Sequence, residues 1–208
     1  MARTGYKSAK YNTIDPETNK YKSLTGSAVP SLERVIEEKF APEYNSAELY
    51  ADDALAESDY SFKKGTLTIT VADDDDKTEA TFLGLKSSDD EVTKTVDDIA
   101  PEIGYGHIVT KSVKGVRQYK AEFFPRVKIT KSTTDAKTRG EGVEFGTTTY
   151  EGTVFPCDRP INGYKVGDWE KHQTFATEAE AIAFLTTCLT PATSTKSFTK
   201  TTPTDLKK

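Results

Sequence analysis

The clearest pattern along the chain is the alternation in Gly65 to Val71 (GTLTITV). Leu67, Ile69 and Val71 fall on one face and Thr66, Thr68 and Thr70 on the other, as in a half-buried strand. Upstream, Gly5 to Asn12 and Lys20 to Val29 read as extended segments around a turn at Asp15-Pro16-Glu17-Thr18-Asn19. Leu32 to Phe40 alternates imperfectly and fits strand or helix; Pro30 and Pro42 bracket it, and strand is favoured. Ala47 to Tyr50 reads as a strand entering an acidic loop with Asp52 and Asp53 at its tip, and Glu57 to Phe62 returns.

The period then changes. Asp73 to Leu85 reads as a helix, with carboxylates suited to the positive end of its dipole. Asp73 or Asp74 is the expected N-cap, Ala80, Phe82, Leu83 and Leu85 supply the apolar stripe, and Gly84 ends it. Ser87 to Ile99 is polar, a loop with a marginal strand at Val92 to Val96. Tyr105 to Val113 and Val116 to Thr130 pair through a Lys114-Gly115 turn, and Pro125, which has no N–H for a ladder, marks an edge or bulge. Ser132 to Gly142 reads as a flexible connection and Val143 to Phe155 as a further strand. Beyond Pro156 the chain is irregular until Thr177 to Leu189, a second helix opened by a Thr177–Glu180 capping box. The expected class is therefore mainly β with two short helices, α+β.

Composition adds limits. At 208 residues with 35% hydrophobic and 29% charged content, one domain with extended arms, or two small ones, is expected. No apolar run approaches the roughly 20 residues of a membrane-spanning helix, and the first residues show no apolar secretory core. The Thr/Ser/Lys-rich segment from 191 onward has little apolar surface to offset its ordering entropy.

The net charge of −5 is unevenly spread. Ser46 to Tyr60 carries Glu48, Asp52, Asp53, Glu57 and Asp59 and no basic residue, whereas Lys111, Lys114, Arg117, Lys120, Arg126 and Lys128 mark a basic region. Opposite regions of this kind can complement each other between copies, or each can be an ordinary solvated face.

Chemistry is sparse. Cys157 and Cys188 are too few for a disulfide framework and read as unpaired thiols. No family-type context pairs them with His107 or His172 for nucleophilic catalysis. The run Asp73 to Asp76 lacks the turn glycine and distal glutamate of a calcium loop, so helix capping accounts for it better. Gly104-Tyr105-Gly106 is too short to signal a nucleotide loop, and a net acidic chain lacks the dominant basic footprint of a nucleic-acid reader. No active site, cofactor or metal is expected.

The order of motifs carries more. KYNTIDPETNKYKSLTGS, then the acidic hairpin with Tyr50-Ala51-Asp52-Asp53, the strand GTLTITV and the Asp-rich helix start ending in Leu-Gly come first. VRQYKAEFFPRVKIT and VEFGTTTYEGTVFP follow. In this order they resemble the phi13-like major tail tube proteins of long-tailed bacteriophages (siphophages), over roughly Ala9 to Pro156. The charged Leu32 to Phe40 and the Thr-rich tail after Leu189 depart from the family.

The resemblance implies a tail-tube β-sandwich or half-barrel, residues 1–156, that completes a barrel in a hexameric ring. Segment 157–190 would be a family extension and 191–208 a C-terminal arm. Stacked rings would form the tube that delivers the genome. The implied partners are other copies, the tape measure protein and DNA passing through the lumen without specific binding, and the tail terminator and distal tail proteins at the tube ends. No enzymatic activity and no membrane insertion are implied, and the location would be the virion tail, with the host cytoplasm during assembly. Within this reading the arm at about 44–64, with Glu48, Tyr50, Asp52, Asp53, Glu57 and Asp59, would meet the basic region of a neighbour. The alternative is a monomeric β-sandwich binding or adhesion module, with Trp169, Tyr164 and Tyr150 as an exposed aromatic platform.

Overall fold

The structure, a computed structural model, describes residues 2–24, 28–51, 54–72, 75–88, 91–135 and 146–192. The elements run β1 (Ala2–Asp15), β2 (Lys20–Tyr21), β3 (Ser31–Leu32), β4 (Val35–Ala51), β5 (Ala54–Val71), α1 (Asp76–Leu83), β6 (Lys86–Ser88) and β7 (Glu91–Thr93). They continue with β8 (Glu102–Val113), β9 (Val116–Asp135), β10 (Thr147–Val154), β11 (Lys171–Phe175) and α2 (Glu178–Leu189). The described residues are mainly β with two helices.

Nine strands form one antiparallel sheet in the order β2-β1-β8-β9-β10-β5-β4, with β3 also on β1 and β11 also on β9; β6 and β7 pair separately. Among the described residues the sheet does not close. Its two long edges, β1 and β4, flank one cleft, so an open seam runs between them. The chain itself crosses that seam at one end, where β3 pairs with β1 at Ala9 and Lys10 and β4 begins opposite Val71 of β5.

The concave face holds one core. Leu67, Ile69 and Val71, each at most 1% exposed, realise the alternation of the GTLTITV strand. They pack with Ile103, Tyr105, Phe124, Val127, Ile129, Tyr150 and Val154. Helix α1 closes this core by inserting Phe82, whose ring meets Tyr11 and Tyr150 edge-on at centroid distances of 4.7 and 5.2 Å. Its N-cap is Asp75, which accepts from the Lys77 and Thr78 amides and the Thr78 hydroxyl. The expected caps Asp73 and Asp74 lie outside the described residues, and the observed cap is one or two residues farther along the carboxylate run. Gly84 ends the helix at φ 71°, a left-handed conformation that glycine adopts without strain.

A second core lies on the convex face, where Ile108, Ala121 and Phe123 meet Ala181, Leu185 and Leu189 of α2. The capping box of α2 is formed as the sequence predicted. Gly104 and Gly106 explain the close approach. A Cβ at Gly106 would lie 2.7 Å from Leu185 Cδ2, and one at Gly104 would lie 2.6 Å from the Tyr21 ring. The Gly-Tyr-Gly motif is a packing device.

Pro125 sits where the outer neighbour of β9 changes. Residues Tyr119–Phe123 pair with β11 and Val127–Asp135 with β10, and the register against β8 slips between Ile103 and Tyr105. A residue without an N–H loses nothing there, as the bulge expectation required.

Four readings of the sequence are corrected. Pro42 does not end a strand but lies inside β4, opposite Gly65; β4 is an edge strand, so the missing N–H can face outward. Ser132 to Asp135 is strand because Thr147–Tyr150 pairs with it, while 136–145 lies outside the described residues. Among the described residues of Lys20 to Val29 only Lys20–Tyr21 is strand, and 25–27 lie outside them. Finally β11, within a segment read as irregular, joins the main sheet on β9, so part of 157–190 belongs to the same sheet as the residues before it.

Candidate functional site

Two features stand apart from the packed body: a projecting hairpin and a buried charge cluster beside its root. Strand β5 pairs with β10 only from Gly65 to Val71, whereas it pairs with β4 down to Ala54. Residues 43–51 and 54–64 therefore form a two-stranded arm with no third strand beside it among the described residues. A lone hairpin is marginally stable in water, so this arm needs support.

At its root Trp169 stacks on Phe62 with centroids 4.0 Å apart and planes 11° apart, and Phe40 lies beyond it at 6.1 Å. Tyr44 packs edge-on against Phe62 but is 52% exposed, and Tyr60 farther out is 62% exposed. The backbone of Glu48, Tyr50, Glu57 and Asp59 lies on the arm's two strands. Their side chains, and both Asp52 and Asp53, lie outside the described residues.

The charge cluster brings together four strands. Glu38 of β4 reaches across the seam to β8, accepting from the Tyr105 hydroxyl at 2.7 Å. Its other oxygen lies 3.0 Å from His107 Nδ1, close enough for an ion pair though poorly aligned for a hydrogen bond. His107 Nε2 lies 3.2 Å from Glu122 of β9, and Lys120 Nζ holds the second Glu122 oxygen at 2.5 Å. Tyr6 of β1 stacks on the imidazole at 5.4 Å and shares a hydrogen bond with Tyr105 at 2.8 Å.

Burial alone would depress the His107 pKa, but the flanking carboxylates override it and raise it to about 9. Burial likewise pushes Glu122 up, yet His107 and Lys120 hold it down to about 2. Burial raises both tyrosines well above the phenol range, and the Glu38 charge adds to it. With His107 protonated the cluster holds two anions and two cations. A cleft of about 500 Å3 opens beside it, lined by Ile36, Glu37, Pro42 and Tyr44 of β4 on one side.

Two of the basic residues singled out in the sequence are paired within the chain. Lys120 is committed to Glu122, and Arg126 donates through two nitrogens to one oxygen of Glu102, at 2.9 and 2.7 Å. Arg159 takes the other Glu102 oxygen at 2.6 Å, and Asp158 lies 3.0 Å from Arg126. This cluster ties the segment after β10 to β8 and β9, and the two arginines hold the Glu102 carboxyl below its usual range against the opposing effect of burial. Lys114 and Arg117 are exposed at the β8–β9 turn, and Lys111 and Lys128 are half-buried along the strands.

Cys157 and Cys188 are buried and not joined in a disulfide, and burial raises Cys157 to about 11, away from a reactive thiolate. Among the described residues no group of three or more His, Cys, Asp or Glu side chains is arranged to hold a metal. His107 has a carboxylate on each ring nitrogen, which suits an imidazolium and not a ligand. The proposed aromatic platform is not assembled either, since Tyr150 is 1% exposed and Trp169 is stacked on Phe62. No helix among the described residues is long and apolar enough to cross a membrane.

The sequence reading missed the cluster of Glu38, His107 and Glu122. Their separations along the chain hide it, although a charged residue in the apolar runs GYGHIVT and KAEFFP was the available signal. No protein-family model matches the chain, and no curated protein is detectably similar to it.

Proposed function

We propose that this chain is the subunit of a self-assembling tube, a bacteriophage major tail tube protein without enzymatic activity. In this reading the open sheet of one copy is completed by its neighbours in a ring of six, and rings stack into the conduit for the genome. The observation that carries it is the 43–64 arm, two long strands continuing past the last pairing with β10 with no further strand beside them among the described residues.

Three further points support it. Edge strand β4 is seventeen residues long, and a long open edge is a template for another chain unless an assembly covers it. Joining copies head to tail around a closed ring covers every such edge at once. The order of motifs along the sequence resembles the tail tube family over most of the chain. A net charge of −5 also suits a wall past which a polyanion slides. The virion tail is the location this function entails.

Electron microscopy of the purified full chain in negative stain tests the proposal. Rings of uniform diameter or long hollow tubes are the expected result. A uniformly monomeric protein at all concentrations and salt conditions tried would overturn it.

A further inference from the structure

The arm's root is held to the body by the Trp169 stack and by Glu38, the β4 side chain that crosses the seam. The geometry around His107 demands a cation. Both ring nitrogens face carboxylate oxygens, at 3.0 Å on the Glu38 side and 3.2 Å on the Glu122 side. A neutral imidazole carries one N–H, so one carboxylate would then face a lone pair.

The other charged and titratable groups around the ring are Lys120 of β9, committed to Glu122, and Tyr105 and Tyr6, hydrogen-bonded to each other. Glu37 of β4 and Glu170 ahead of β11 line the same cleft. None but Lys120 is a second cation, and Lys120 sits on the Glu122 side. Loss of the imidazolium charge would leave Glu38, whose side chain is 5% exposed, without a counter-charge and with the Tyr105 and Tyr6 hydroxyls as its remaining polar neighbours. Stripping the partner from a buried charge is strongly unfavourable. The adjoining cleft gives Glu38 room to turn outward to water.

We propose that Glu38, His107 and Glu122 form a charge latch across the open seam, in which protonated His107 positions edge strand β4 and the arm. Unlatching the root changes how the arm is presented to a second copy. That last consequence rests on the tube reading, whereas the latch itself does not. The raised His107 pKa places the release near pH 9.

The test uses the full-length protein and two readouts of the arm root. One is the emission of Trp169, the single tryptophan of the chain; the other is amide exchange across residues 43–46 and 60–64, corrected for intrinsic rates. Titration from about pH 6 to about pH 10 should show both changing together near pH 9, with exchange rising about tenfold or more on release. His107→Gln should exchange at the released rate already at neutral pH and show no transition. His107→Lys, which keeps a cation, should restore protection at neutral pH. Glu38→Gln should move the transition to lower pH, since one of the two carboxylates that favour the imidazolium is gone.

An unchanged transition in His107→Gln would assign the effect to tyrosine or lysine titration and overturn the latch. Equal arm exchange in Glu38→Gln and the parent at every pH would overturn it too, without needing a His107 variant to fold. If the parent protein forms neither rings nor tubes, the tube reading fails while arm exchange still decides the latch.

Discussion

At the scale of single residues, His107 and Gly106 do opposite things on the two faces of β8. His107 faces the seam and its stability contribution depends on pH. Its folded pKa, about 9, lies above the ordinary 6.5, so its contribution is complete below about pH 6.5 and is lost as pH rises through 9. Glu122 behaves inversely: its pKa falls from 4.5 to about 2, so its contribution holds above 4.5 and is lost as pH falls through 2. The cluster contributes most between these windows, on the order of a few kcal/mol. Urea midpoints should fall from pH 6.5 toward pH 9 in the parent, and this decline should be smaller in His107→Gln. Gly106 faces α2, and Gly106→Ala would press a methyl against Leu185 and, at 3.1 Å, against the Phe123 ring. Since both neighbours are fully buried, a loss of about 1–3 kcal/mol is expected in chemical denaturation, typical of an overpacked core.

At the scale of elements, each helix serves a different core. α1 closes the concave side with one large side chain, so Phe82→Ala should cost about 3–5 kcal/mol, read as a lowered denaturant midpoint at unchanged slope. The strands of the arm were legible in part: the acidic loop with its outgoing and returning segments was readable from 47–62, and so was the Lys114-Gly115 turn, whose φ values of 49° and 81° suit a tight hairpin. The strand Lys171–Phe175 was not legible. It is short and mostly exposed, with the pattern set by β9 alongside it and not by its own hydrophobicity. Pro42 misled for the same reason, because a proline breaks a central strand but is tolerated on an edge, and edge position is a property of the sheet.

At the scale of the whole molecule, the proposed assembly is the property at stake. If copies join through the acidic arm, charge attraction to basic residues of a neighbour contributes, and added salt should weaken it. Ring or tube formation followed by light scattering should therefore decline as salt rises toward about 1 M, and changing Glu48, Asp52, Asp53, Glu57 and Asp59 to Asn or Gln should flatten that dependence. Tubes with the same salt response in the variant would show that the arm's charge is not used. The sequence by itself determined what is local: period-2 alternation in Gly65 to Val71, the Thr177 capping box, the Gly84 stop and the acidic arm each depend on neighbours within a few residues. Only the tertiary structure decided which strands are edges, that Lys120 and Arg126 are consumed by Glu122 and Glu102, and that Glu38, His107 and Glu122 meet. The physical reason is that a strand's edges and a buried ion's partners come from chain segments dozens of residues away, and one-dimensional periodicity carries no record of which segments those are.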